Sequence, residues 1–140
     1  MGIQTAEGIV IASEKKVFSK LLAPLSGSEK TYKLAEHVFV AVAGLTSDAS
    51  VLVDYGRLAA ARYEFTYAEP QPVEGLVQLL CDHKHSYTQH GGLRPFGVAF
   101  LYAGWDRHHG FQLYQSDPSG NYRCGAGAAR RALCARLRRL

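Results

Sequence analysis

Apolar and polar positions alternate in several short stretches of the chain and recur at three- and four-residue spacing in two longer ones. Ile9 to Ser13 (IVIAS) predicts a short strand of the buried type after a Glu7-Gly8 turn. Lys30 to Leu34 and Val38 to Ala43 predict a hairpin turning at Ala35-Glu36-His37. Val38, Val40 and Val42 fall on one face of it, and Phe39, Ala41 and Ala43 on the other. Gly44 ends the second strand. Lys15, Lys16, Ser26, Gly27 and Ser28 mark a polar connection before the hairpin.

The period then lengthens. Thr46 or Ser47 can cap a helix at its N-terminus, with Asp48 in the first turn where the helix dipole favours an anion. Val51, Leu52, Tyr55, Leu58, Ala59, Arg62 and Tyr63 form its amphipathic stripe. Gly56 costs about 1 kcal/mol against Ala in a helix, which points to close approach by another element. Pro70 and Pro72 interrupt the pattern, and Pro72 suits a first helical turn. Val73, Leu76, Val77, Leu80, Cys81, Lys84 and Tyr87 mark a second helix, which Gly91 and Gly92 are suited to end with positive φ.

Pro95 forces Arg94 out of the helical region, so the chain leaves extended. Phe96 to Gly104 is apolar on both faces: Phe96, Val98, Phe100 and Tyr102 on one, Gly97, Ala99, Leu101 and Ala103 on the other. Such a run belongs in the middle of a sheet covered on both sides. Phe111 to Ser116 is the next strand, after a connection from Trp105 to Gly110. Asp117-Pro118-Ser119-Gly120 is a type I turn, and Asn121 and Tyr122 begin a returning strand. Strands, two helices and strands again define an α+β fold, with helices layered on antiparallel sheet.

Composition narrows the function classes. A length of 140 residues argues for one domain, and 47% hydrophobic with 20% charged residues is ordinary for a folded chain. No apolar run approaches the roughly 20 residues of a membrane-spanning helix. The N-terminus has neither the basic nor the long apolar region of a signal peptide, and Ala6 stands where myristoylation wants Ser or Thr. The formal charge of +4 does not describe a nucleic-acid face. Arg123, Arg130, Arg131, Arg136, Arg138 and Arg139 all follow Tyr122, and the body before them is nearly balanced. Cys81, Cys124 and Cys134 are odd in number without a C-x-x-C pair, which fits a reducing compartment.

Candidate chemistry is sparse. His83 and His85 point to opposite sides of a helix, and His108 and His109 are turn neighbours. Neither pair has zinc-like company, so solvated histidines are expected, with no metal and no cofactor. Gly91-Gly92 follows a helix instead of opening one, the wrong end for a phosphate.

The segment Tyr87-Thr88-Gln89-x-Gly91-Gly92-x-Arg94-Pro95-Phe96-Gly97 resembles the joint between the second helix and the next strand in proteasome core-particle alpha subunits. So do Glu29-Lys30-x-Tyr32-Lys33-Leu34, Val42-Ala43-Gly44-Leu45-Thr46-Ser47-Asp48-Ala49, Arg62-Tyr63 and the run GFQLYQSDPSGNY from Gly110 to Tyr122. The last is most similar to one eukaryotic type. The resemblance covers about Gly2 to Tyr122. It implies an αββα sandwich of the N-terminal-nucleophile hydrolase type, here incomplete: N-terminal helix, most of the first strand and C-terminal half are not matched. Residues 1–122 are then a partial alpha-type domain. Residues 123–140 form an Ala/Arg-rich tail outside the pattern, either a short basic helix, a disordered segment, or the product of a shifted reading frame or unusual splicing.

The resemblance also implies function. Members of this kind are non-catalytic subunits of a heteroheptameric alpha ring that gates substrate entry, stacks on a catalytic beta ring and docks regulatory particles. They serve ubiquitin-dependent protein degradation in cytoplasm and nucleus. Catalytic relatives of the fold use an N-terminal Thr whose free amine is the base. Here Thr5 lies in a turn instead of at a strand start, and Glu14 stands where that class carries an aspartate, so no catalytic residue is expected. Lys30, with Gly44 and Leu45 as wall, corresponds to the inter-subunit pocket that receives a regulator's C-terminal carboxylate. Tyr87, Gln89, Arg94, Pro95 and Phe96 correspond to inter-subunit contacts, although for Arg94 a purely structural role is equally open. The alternatives are a threonine-type hydrolase with Thr5 at a processed N-terminus, a basic-tailed binding protein, and a non-functional fragment.

Overall fold

The computed structural model describes residues 1–14 and 30–125. The polar connection at Lys15, Lys16, Ser26, Gly27 and Ser28, together with Glu29, Cys134 and the tail from residue 126, lies outside the described residues. The elements are β1 (Gly2–Gln4), β2 (Ile9–Ile11), β3 (Thr31–Ala35), β4 (Val38–Gly44), α1 (Thr46–Tyr67), α2 (Val73–Gln89), β5 (Val98–Asp106), β6 (Gly110–Ser116) and β7 (Tyr122–Cys124). Five strands make one antiparallel sheet in the order β3-β4-β5-β6-β7, and β1 and β2 pair separately. The fold is α+β.

The doubly apolar stretch is the central strand, as its pattern predicts. β5 pairs with β4 from Val38↔Gly104 to Gly44↔Val98, and with β6 from Phe100↔Ser116 to Asp106↔Gly110. Val98, Phe100 and Tyr102 face α1 and α2 in the main core, with Val38, Val40, Val42, Leu52 and Leu76. Leu101 and Ala103 face the other way, joining Ala41 and Leu113 under Ile9 and Ile11 of β2. One run of sequence thus supplies both cores. The strand lies two residues later than expected, because Phe96 and Gly97 are used to dock the incoming chain. Phe96 is nonetheless buried in the main core.

The stripe of α1 differs from the expected one. Ala49, Leu52, Val53, Gly56 and Ala60 are buried, whereas Val51 and Leu58 are 55% and 57% exposed. Close packing chooses the face. A Cβ at Gly56 would lie 3.3 Å from both a Leu34 and a Leu80 methyl, so the helix settles along its small residues. The expected close approach at Gly56 is therefore present, and counting large side chains misplaced the seam.

Helix ends also depart from expectation. Neither Thr46 nor Ser47 caps α1; Leu45 is the cap residue and makes no side-chain hydrogen bond. Pro72 caps α2 and precedes its first turn. That helix ends at His90 in extended conformation, whose N–H donates to Ser86 O at 3.3 Å, while the positive-φ Gly92 lies in the following turn. At the N-terminus Gly2–Gln4 is itself a strand, paired Gly2↔Ile11. This short strand agrees with the expectation that only the end of the first strand is matched.

Candidate functional site

Three of the motifs, those around Lys30, Gly44 and Arg94, meet at the end of the sheet where β4 leaves and β5 enters. Lys30 immediately precedes β3, and its carbonyl accepts from Val42 N–H at 2.8 Å. Gly44, two residues beyond Val42, ends β4, which places it about 8 Å from Lys30 by strand geometry. Gly44 has φ of +120°, and a Cβ there would lie 2.1 Å from Gly97 O. Only glycine fits. Leu45 N–H donates to the same Gly97 carbonyl at 3.0 Å. The Leu45 side chain lies over Gly97 and remains 52% exposed.

Asp48, on the first turn of α1, ties this corner together. Its carboxylate is buried and accepts from Arg94 Nη1 at 2.6 Å, Arg94 Nη2 at 2.7 Å and Gly97 N–H at 3.1 Å. A forked arginine matches a carboxylate in this way as no lysine can. The Arg94 hydrogen bonds outweigh the opposing effect of burial and hold the Asp48 carboxyl below its ordinary range. Asp48 lies in the first turn of α1 as expected, and it also serves the loop that returns to β5. Arg94 thereby has an intrachain partner, with 66% of its side chain still exposed.

The remaining predicted contact residues divide between two environments. Tyr87 packs on Phe96 with ring centroids 4.5 Å apart, behind the corner and inside an aromatic cluster. Gln89 and Pro95 are exposed. His83 completes the cluster, stacked on Tyr55 at 4.1 Å with 16° between planes, and burial depresses its pKa. It is therefore a packed ring, not the solvated histidine expected. His83 was misread because helical spacing gives direction but not the neighbours contributed by α1.

Sequence reasoning placed Lys84 in the buried stripe of α2 but gave it no partner. It is fully buried, donating to Ser116 Oγ at 2.6 Å and Asp117 O at 2.9 Å, above the Phe100 ring. Ser116 Oγ in turn donates to Tyr102 OH at 3.2 Å. Burial lowers the Lys84 pKa to about 8. The signal was present: a lysine within the apolar stripe of α2. This cluster fastens the β6–β7 turn to the helix, and His85 Nδ1 lies 3.3 Å from Ser119 O.

Thr5 sits in the β1–β2 turn, where its N–H and its hydroxyl both donate to Gly8 O, at 2.8 and 3.0 Å. Among the described residues no three His, Cys, Asp or Glu side chains are grouped to hold a metal ion. No described helix is long and apolar enough to cross a membrane. Between α1 and the start of α2 an open groove of about 310 Å³ is lined by Tyr55, Leu58, Arg62, Tyr63 and Gln71 among others.

The amino-acid sequence is matched by a family model. The proteasome subunit family model covers residues 1–129, and the chain belongs to that family. Its similarity is to the alpha type-4 subunits in particular. It is 62% identical over 122 residues to proteasome subunit alpha type-4-A of Arabidopsis thaliana, covering 87% of this chain and 49% of the relative. It is likewise 62% identical over 123 residues to proteasome subunit alpha type-4 of Dictyostelium discoideum, and 60% over 122 residues to that of Spinacia oleracea. The chain thus spans about half the length of the curated relatives it matches.

Proposed function

We propose that this chain is part of a non-catalytic, alpha-type subunit of the proteasome core, acting in ubiquitin-dependent protein degradation in cytoplasm and nucleus. Its partners are the other alpha subunits beside it in a heteroheptameric ring, the beta ring beneath and a regulatory particle above. The observation that carries this reading is the 60–62% identity to type-4 alpha subunits over 87% of the chain. The fold proposed for the whole subunit is an αββα sandwich. In favour of it, the second face of the sheet is only partly covered by β1 and β2, with Phe39, Trp105 and Phe111 at 49%, 49% and 37% exposure.

The pocket assignment follows the sheet corner. Lys30 supplies the cation for a regulator's terminal carboxylate, and Gly44 and Leu45 supply the wall. Tyr87, Gln89, Arg94, Pro95 and Phe96 line the side toward a neighbouring subunit or hold that side in place. An exposed leucine beside a lysine at a strand start suits an apolar tail ending in a carboxylate. Against hydrolysis, the Thr5 hydroxyl and N–H are engaged in a turn.

The test is co-expression of the chain with the other alpha-type subunits, followed by isolation of the ring. A short peptide ending in a free carboxylate is then titrated against its C-terminal amide. Lys30→Ala should remove the preference for the carboxylate, a loss of about 1.5–3 kcal/mol for a charge-assisted bond. A chain excluded from the ring would overturn the subunit reading; an unchanged preference would overturn the pocket alone.

A further inference from the structure

We infer that Asp48 and Arg94 are positioning residues for the Gly44–Leu45 wall, so that docking strength at this corner depends on an ion pair outside the pocket. The inference rests on the pocket reading given above and adds to it a second, separable determinant.

The geometry is that of a clamp. Gly97 is held from both sides, its N–H by Asp48 Oδ2 at 3.1 Å and its carbonyl by Leu45 N–H at 3.0 Å. Gly44 and Leu45 both rest on Gly97. A Cβ at Gly97 would lie 2.9 Å from Leu45 Cδ1, and one at Gly44 would meet Gly97 O at 2.1 Å. The wall can be no better placed than Gly97. Gly97 in turn is fixed by Asp48, and Asp48 is oriented by the two-pronged grip of Arg94.

Two further features make the clamp specific to position. The start of α1 has no side-chain cap, so its first turn is not anchored that way. Around Asp48 the corner is open: Gly44, Leu45, Thr46 and Ser47 are all exposed. The Asp48 carboxylate thus sits where this exposed corner meets the main core, which begins at Ala49. A preformed wall spares the bound peptide the cost of ordering it. Lys30 lies across β4 from this clamp and supplies charge, whereas the clamp supplies shape.

The two contributions separate in one experiment. In the isolated ring, Arg94→Lys keeps the charge but loses the fork, and Asp48→Asn keeps the shape but loses the charge. Each should weaken the free-carboxylate peptide and its amide by about tenfold. Arg94→Lys leaves the ratio between them unchanged, whereas Asp48→Asn, which frees the Arg94 cation, leaves the carboxylate at least as well preferred. Lys30→Ala should do the reverse, collapsing the ratio. Hydrogen exchange read in the same samples should show the Leu45 and Gly97 amides opening faster in the clamp variants. Amides of Phe100 and Tyr102 in the core of β5 should keep their protection.

Wild-type affinity in both clamp variants would overturn the inference while leaving the pocket intact. So would loss of protection throughout β5 in Arg94→Lys, which would make the pair a general stabiliser. A ratio untouched by Lys30→Ala would remove the pocket reading itself, and the clamp would then have nothing to position.

Discussion

The two faces of the five-stranded sheet are built from the same strands yet reach different degrees of completion. Toward α1 and α2, β5 sends Val98, Phe100 and Tyr102 into a layer where Leu52, Leu76, Val77 and Leu80 are at most 1% exposed. Toward β1 and β2, the same strand sends Leu101 and Ala103 under a two-stranded cover, while Trp105 stays half exposed opposite Phe111. Phe39, one strand over, is also half exposed on this side. Alternation dictates that both faces are apolar; it does not dictate that both are covered. The helix face is a finished core, whereas among the described residues the second face leaves Phe39, Trp105 and Phe111 exposed.

The largest expected effect lies on the finished face. Leu80→Ala should cost about 2–5 kcal/mol in denaturant unfolding, because a buried leucine leaves a cavity its packed neighbours cannot fill. Phe111→Ser on the other face should move stability by only about 0.5 kcal/mol or less, while lowering the binding of hydrophobic dyes. Equal costs at the two positions would contradict the difference between the faces.

Lys84 gives a smaller effect with a pH signature. Lys84→Met fills the space but leaves Ser116 and Asp117 O without their donor, a loss of about 1–3 kcal/mol. Lys84 has a folded pKa of about 8 against 10.5 unfolded, so between these values the unfolded chain binds the extra proton. Its contribution to stability therefore rises as pH climbs from about 8 toward 10.5. Burial raises Cys81, which faces the lysine, and Tyr102, which is linked to it through Ser116; these oppose the rise once their unfolded pKa values, 9.0 and 10.0, are passed. The nearby Asp117 carboxylate favours the lysine's charged form. The advantage of wild type over Lys84→Met should accordingly grow between pH 7 and 9 in chemical denaturation. A flat difference would show that Lys84 keeps its ordinary titration in the fold.

Asp48 gives the smallest. Its pKa is lowered in the fold, so its stabilising effect is present above the unfolded value of 3.8 and is lost as pH falls through the folded one. Asp48→Asn should flatten that acid limb of the stability curve, measured between pH 5 and 2. An unaltered limb would mean that the carboxylate does not hold Arg94 in solution.

The sequence made most of the strands legible, because period-two alternation in Val38–Ala43 and Phe96–Ala103 is an immediate consequence of the pleat. It also marked Gly56 as a place of close approach and residues 117–120 as a turn. It misdirected the face of α1, since the seam runs along Ala49, Gly56 and Ala60 and large exposed residues such as Val51 dominate a hydrophobic count. The clamp was illegible for a different reason. Asp48 and Arg94 are 46 residues apart, and only the closed fold brings the fork to the carboxylate. The family resemblance located the corner; it did not disclose what holds the corner in shape.

Sedimentation velocity on the full chain across a range of concentrations tests the unequal faces most directly. The expected result is a species larger than a monomer that grows with concentration and binds hydrophobic dye. Phe39→Lys with Trp105→Lys should shift it toward monomer, since charge on an apolar face opposes its association. The contradicting result is a monodisperse monomer at every concentration, with a single sharp melt.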